Sequence, residues 1–294
     1  MRHRAELVLA AVLAASACAA AARGAQGSQF CPYGTYSLGT KYASSFRDRA
    51  AELRGLGGDF VVGMKTTRGQ LDELPPGMLA APGCSLLKRS AWRDEHAARR
   101  RLGKLAADFA THPRVWGVCI GHEVDEFADH QQRARMYRLA KPFFPGKRVF
   151  FYYAHVPSDY GLGGETESDV FFTALNPFDK QGNFDLAKAT HKLDDALAVV
   201  DRTPGIPVWG QTSINADHGY VSGPETMSRT WGSDGANMLA EAHQLFARRS
   251  PAGARLAGFF WRSLGRFDWD LGYPAFAAHR QRIREVARQW HCAP

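Results

Sequence analysis

Short apolar runs alternate with longer segments of helical periodicity along nearly the whole chain. Residues 30–38, 60–64, 85–88, 115–120, 148–153, 169–175, 206–212 and 256–261 are each of strand length, and most are rich in β-branched or aromatic residues. Between them lie helical signals. Residues 44–56, 129–139 and 234–248 have helix length, and Leu102, Leu105, Ala106 and Phe109 repeat at i, i+3, i+4 and i+7 to form one apolar face. Leu193, Leu197 and Val200 mark another such face, and Phe276, Ile283, Val286, Ala287 and Trp290 mark the last. Gly57-Gly58, Pro145-Gly146 and Pro204-Gly205 punctuate the alternation, while residues 70–79 are broken by Pro75-Pro76.

Eight strand–helix alternations in a chain of 294 residues predict a parallel sheet closed as a single-domain (β/α)8 barrel. An open doubly wound sheet is the rival, but no Gly-x-Gly-x-x-Gly turn follows the first strand, so a dinucleotide fold is not expected.

The N-terminus changes the boundaries of that domain. Arg2, His3 and Arg4 precede an Ala-rich apolar run over residues 7–22, which reads as a secretory signal cleaved after Ala22. The barrel is then expected over residues 23–294, in a secreted or periplasmic protein. Cys18 follows Ala15, Ser16 and Ala17 without the Leu of a lipobox, so a lipid anchor is not favoured. No later apolar run reaches the roughly 18 residues of a spanning helix, and no integral membrane segment is expected.

Lys and Arg number 37 against 29 Asp and Glu, giving a formal charge of +8. Much of the excess sits on separate helical segments such as Arg99-Arg100-Arg101, with no basic tail or basic-aromatic array, so a nucleic-acid partner is not expected. Outside the signal lie Cys31, Cys84, Cys119 and Cys292. Cys119 reads as a small buried hydrophobe in mid-strand. Cys31 and Cys292, near the two mature ends, are expected to pair as a disulfide, with Cys84 an alternative partner for either. There is no Cys-x-x-Cys, His-x-His or His-Glu-x-x-His, so neither a metal nor a cofactor is expected. Gly-x-Ser-x-Gly is also lacking, which argues against a serine nucleophile.

The chemistry concentrates where apolar runs end. Val-Trp-Gly-Val-Cys-Ile-Gly runs directly into His122, Glu123, Asp125 and Glu126. Asp125 and Glu126 read as acids at the start of the next helix, whereas Glu123 stands at the strand end, where barrel chemistry sits. The other expected strand-end residues are Tyr36, Lys65, Arg89 with Trp92, Tyr153 with His155, and Asn176 with Asp179. Gln211, Asn215, Asp217 and His218 follow the seventh strand, and Trp261, Arg262, Asp268, Trp269 and Asp270 the eighth. Aromatic faces beside carboxylates and amides suit a polyhydroxylated ligand, because a sugar ring offers C–H faces to the former and hydroxyls to the latter.

Three segments carry a resemblance. Val-Trp-Gly-Val-Cys-Ile-Gly-His-Glu, Ile-Pro-Val-Trp-Gly-Gln and Gly-Phe-Phe-Trp resemble strands four, seven and eight of the (β/α)8-barrel glycoside hydrolases with catalytic glutamates on strands four and seven. In that family an Asn-Glu pair ends strand four and its Glu is the general acid/base. Glu123 matches the Glu and His122 replaces the Asn. The nucleophilic Glu of strand seven is matched only by Gln211, and Trp261 matches a Trp of the sugar-binding floor.

An amide cannot serve as a carboxylate nucleophile, so Gln211 removes one member of the retaining pair. Three outcomes are compatible with that change. Asp217, Glu225 or Asp268 acts as base in an inverting reaction, or a substrate acetamido group attacks internally with Gln211 or Asn215 orienting it, or the barrel binds sugar without hydrolysis. The resemblance implies an exported glycoside-hydrolase-like protein acting on a poly- or oligosaccharide, with Glu123 as general acid/base. Its alternative is a non-catalytic carbohydrate-binding protein of the same fold. Apolar walls are expected to bury Glu123 and raise its pKa.

Overall fold

The computed structural model describes residues 30–40, 43–63, 66–85, 87, 89–176, 185–212, 241–248, 253–261, 277–288 and 290. The expected signal, residues 1–22, lies outside them. Residues Pro32–Trp290 form one compact unit.

Its strands are β1 (Tyr33–Thr35), β2 (Phe60–Gly63), β3 (Leu79–Pro82), β4 (Gly117–His122), β5 (Arg148–Tyr153), β6 (Phe171–Ala174), β7 (Val208–Thr212) and β8 (Gly258–Trp261). They form one sheet in the order β3-β2-β1-β8-β7-β6-β5-β4. All the ladders are parallel, and β1 pairs with both β2 and β8. Parallel bridges Ala80↔Val115 and Gly83↔Cys119 join the two outer strands, so the ring closes as the expected (β/α)8 barrel.

The helices between strands have caps that the sequence supplies. Ser45, Asp94, Asp129 and Asp185 each accept a backbone N–H from the first turn of the helices Phe46–Gly55, Glu95–Phe109, His130–Ala140 and Leu186–Leu197. Helix Glu95–Phe109 buries Ala98, Leu102, Leu105 and Phe109, which is the predicted stripe with Ala106 displaced to its edge. Residues 241–246 and Ala277–Ala287 are also helical. Among the described residues no helix is long and apolar enough to cross a membrane.

Aromatic rings fill the barrel interior. Phe60, Val62, Phe150, Tyr152, Phe172, Trp209 and Phe260 belong to one buried cluster with Tyr36, Cys84 and Cys119. Trp116 stacks on Trp209 at 4.9 Å, and Phe260 lies 5.2 Å from Trp209. Alternation sends the intervening residues to the helix layer. There Tyr33 meets Trp261 at 5.0 Å, and Tyr153 stacks on Phe171 at 5.0 Å.

Two expectations need correction. The third strand is Leu79–Pro82, not residues 85–88. Its small side chains and terminal proline hide it from an apolar-run criterion, but Pro82 is tolerated because it ends the strand. Arg89 and Trp92 therefore belong to the short helix Arg89–Arg93, not to a strand end. Cys119 is not a free buried thiol, since it forms a disulfide with Cys84. The bond crosses the β3/β4 seam next to the Gly83↔Cys119 bridge, where strand pairing is sparse. Cys31 is also disulfide-bonded, and Cys292 lies outside the described residues.

Candidate active site

A bulge in β4 builds the site. Cys119 pairs with Phe150, but the next pair is Gly121 with Phe151, leaving Ile120 as an extra residue. Without that insertion His122 would point to the helix layer. With it, His122 pairs with Tyr152 and takes the interior face. Gly121 is required at this bend, because a Cβ there would lie 2.5 Å from Val124 and 3.0 Å from Phe151 and Trp92.

Glu123 follows in the left-handed conformation, with φ 52° and ψ 47°. An L-residue with a long side chain adopts this region at a cost, and such strain concentrates where the surroundings impose it. The surroundings are identifiable. The turn Val124–Glu126 buries Val124, and Asp125 accepts backbone N–H groups from Ala154 at 2.8 Å and His155 at 2.9 Å. The end of β4 is thereby tied to the exit of β5. Glu126 pairs with Arg89 at 2.6 Å on the surface, so both acids of this turn have local structural roles.

Next to Glu123, His122 belongs to an aromatic wall. The His122 ring lies 5.1 Å from Tyr152 and 6.0 Å from Tyr36, and Tyr36 stacks on Tyr152 at 4.7 Å. His122 Nδ1 is 3.5 Å from Glu123 Oε2. Two strands further round, Gln211 is buried and its Oε1 accepts from the Tyr152 hydroxyl at 2.5 Å. Its Nε2 has no hydrogen-bond partner among the described residues. Asn176, just beyond β6, is buried with its Oδ1 unpartnered among the described residues.

Tyr36, His122, Gln211 and Asn176 are thus the expected residues found at the carboxyl ends of their strands on the interior side, and Glu123 follows His122 directly in the turn after β4. Tyr153 and Trp261 are not brought to them, because both face the helix layer, fully buried. Burial pushes the Tyr153 phenol well above its ordinary range, reinforced by Tyr160 and Glu167, so it is neutral. His155 sits on the surface, its ring 3.3 Å from Asp125. Lys65, Asn215, Asp217, Arg262, Asp268 and Trp269 lie outside the described residues, as do Asp179, His218, Glu225 and Asp270. The side chain of Glu123 is 39% exposed, so the expected apolar enclosure is not formed.

Tyr152 is the residue that sequence reasoning misses. The signal for it is parity: in Arg148–Tyr153 the interior set is Phe150 and Tyr152, and the last residue of the strand is the wrong one to choose. An open depression of about 510 Å³ is bordered by Asp125, Asp129, Arg133, His155 and Asp159, with neither Glu123 nor the aromatic wall among its lining residues. Among the described residues no group of three or more His, Cys, Asp or Glu could hold a metal ion.

No protein-family model matches the chain. No curated protein matches it either. Solved structures do. A GH5_18 from Bifidobacterium longum subsp. infantis aligns over 90% of this chain and 80% of its own, with TM-score 0.58 and 14% identity. A GH5_18 variant from Bifidobacterium longum subsp. longum, in complex with Manβ1-4GlcNAc, gives TM-score 0.60 and 13% identity over 90% of this chain and 79% of its own. A β-glucuronidase from Lactobacillus rhamnosus gives TM-score 0.58 and 12% identity over 87% of this chain and 50% of its own. At these identities the likeness is one of fold: the chain is a (β/α)8 barrel of the kind that glycoside hydrolases use.

Proposed function

We propose that the protein is an exported carbohydrate-active protein of glycoside-hydrolase type, acting on a poly- or oligosaccharide with Glu123 as general acid/base. The observation that carries this reading is the position of Glu123. It is held directly after β4 in a left-handed conformation, in contact with His122 of the Tyr36–Tyr152–His122 wall, and that wall shares the interior face with the amide of Gln211. Such a wall offers a face to a sugar ring, and the carboxyl and amide offer hydrogen bonds to its substituents. The shared barrel of the GH5_18 and β-glucuronidase structures supports the same class. Export is supported by the signal-like residues 1–22 and by the Cys84–Cys119 disulfide, which suits an oxidising compartment.

In the chemical step Glu123 gives a proton to the departing glycosidic oxygen and, as a carboxylate, takes one back from water. A second reading, sugar binding without hydrolysis, is favoured by one specific fact. The residue at the β7 position is the amide Gln211, hydrogen-bonded to Tyr152. Wild type and Glu123→Gln, compared on a broad glycan panel for turnover and for binding, separate the two. Turnover by wild type that falls at least 100-fold in the variant, with binding kept, supports the enzyme. Binding by both proteins without turnover by wild type supports the second reading.

A further inference from the structure

We infer that the site takes a 2-acetamido sugar, and that the acetamido group of the ligand supplies the nucleophile that this chain lacks on β7. The inference rests on the glycoside-hydrolase reading above. Two buried amide atoms carry it, Nε2 of Gln211 on β7 and Oδ1 of Asn176 just beyond β6, each without a hydrogen-bond partner among the described residues. Their residues are only 3% and 6% exposed. A polar atom left unpaired at such depth is costly and calls for an explanation, which a bound ligand provides.

Both atoms belong to the interior side. Gln211 is fixed there by its bond to Tyr152, a member of the interior cluster. The β6/β7 ladder runs on past Ala174, the Cα partner of Gln211, because Leu175 N–H donates to the Gln211 carbonyl at 2.6 Å. A Cβ built on Gly210 would come within 2.4 Å of the Leu175 side chain, so Leu175 lies on the outer face with Gly210. The strand alternation then carries Asn176 to the same side as Ala174 and Gln211.

One orphan is a donor and the other an acceptor. A secondary amide answers both from a single substituent, its carbonyl oxygen to Gln211 Nε2 and its N–H to Asn176 Oδ1. A lone hydroxyl can also accept from one and donate to the other, but it brings no carbonyl oxygen to stand in for the missing carboxylate.

The same substituent resolves the missing carboxylate. Its carbonyl oxygen attacks C1 from the face opposite the leaving group while the glycosidic C1–O bond breaks and Glu123 protonates the departing oxygen. Asn176 Oδ1 accepts from the N–H of the oxazolinium ion so formed. Water then adds to C1 and gives its proton to the Glu123 carboxylate. The C1–O bond to the acetamido group opens, the acetamide is restored, and the product keeps its anomeric configuration. No group of the chain becomes covalently attached.

The test pairs 4-nitrophenyl β-glycosides of N-acetylglucosamine and N-acetylgalactosamine with those of glucose and galactose, on the full mature protein. Turnover is expected only for the acetamido members, with retention seen by NMR and competitive inhibition by the matching sugar thiazoline, a stable mimic of the oxazoline. Asn176→Leu should lower kcat at least 10-fold while Asn176→Asp keeps it, a contrast that a packing role would not produce. Equal turnover of both members of a pair, or an inverted first product, overturns the inference and leaves the hydrolase reading standing. Absence of carbohydrate binding by wild type and by Glu123→Gln overturns both, and binding without turnover overturns the acetamido attack.

Discussion

The Tyr152 hydroxyl donates a 2.5 Å hydrogen bond to Oε1 of Gln211, so the β7 side chain at the mouth of the barrel is held by an aromatic residue that also stacks on His122 and Tyr36. The bond spans from β5 across β6 to β7 and makes one phenol the common support of both halves of the site. Tyr152→Phe keeps the stack and leaves Gln211 with both amide atoms unpaired. A destabilisation of about 1–2 kcal/mol is expected, with ligand affinity falling about 5- to 10-fold. Urea unfolding and titration calorimetry check the two effects. Unchanged affinity would show that Gln211 does not need this support.

The Cys84–Cys119 bond joins residues 35 apart in sequence, at the seam where the ring is closed by isolated bridges. Cross-linking a loop of this length contributes about 3–4 kcal/mol through the entropy of the unfolded chain. Cys119 also lies two pairs before His122 on β4, so loosening the seam should loosen Glu123. The double variant Cys84→Ser/Cys119→Ser is expected to lose most of that stability, measured by guanidinium unfolding without reductant. A loss below about 1 kcal/mol would mean that strand packing alone closes the barrel.

The loop after β5 is tied down by an ionic network that is buried at Arg133 and Glu167 and exposed at Asp159. Arg133 bonds Glu167 at 2.5 Å and Asp159 at 2.6 Å, while His130 meets Glu167 through its ring and Asp159 through its backbone N–H. Burial pushes the Asp159 carboxyl up, but the bonds from Arg133 and His130 outweigh it and hold the carboxyl below its ordinary value of 3.8. A depressed folded-state pKa contributes stability above the ordinary value and loses it as pH falls through the depressed one. The stability gap between wild type and Asp159→Asn should therefore be widest above about pH 5 and shrink steadily below pH 4. Urea midpoints measured from pH 6 to pH 3 test this, and a constant gap would contradict it.

The barrel is legible in the sequence because buried parallel strands must be short apolar runs and their crossover helices must be capped and periodic. Arg148–Tyr153 is readable to the residue, since five consecutive strand formers, Val149 to Tyr153, follow soon after a Pro-Gly turn. Leu79–Pro82 is not, because Leu-Ala-Ala-Pro has neither bulk nor β-branching and is placed by pairing with Phe60–Gly63, a long-range effect. The site is legible where a strand end coincides with the interior face, as at Tyr36 and Gln211. It fails where parity is needed to a single residue. Tyr153 and Trp261 are one position off the interior set, and His122 is on it only because of a bulge that local sequence does not announce. Cys84 and Cys119 likewise pair through sheet closure, not through spacing along the chain.

Glu123 offers the sharpest test of whether the strand end is built for function. Its φ of 52° is a conformation that an L-residue adopts at a cost of about 1–2 kcal/mol, whereas glycine reaches it freely and loses about 0.5–1 kcal/mol in unfolded-chain entropy. Glu123→Gly is therefore expected to be relieved of the backbone strain and to be without turnover. Glu123→Ala, which keeps the strain and also lacks the carboxyl, should be the less stable of the two by about 1 kcal/mol. Thermal and denaturant unfolding of the three proteins decide it. An alanine variant as stable as the glycine variant would mean that the β4 exit relaxes out of the left-handed region, and that Glu123 is not held there by the bulge and by Asp125.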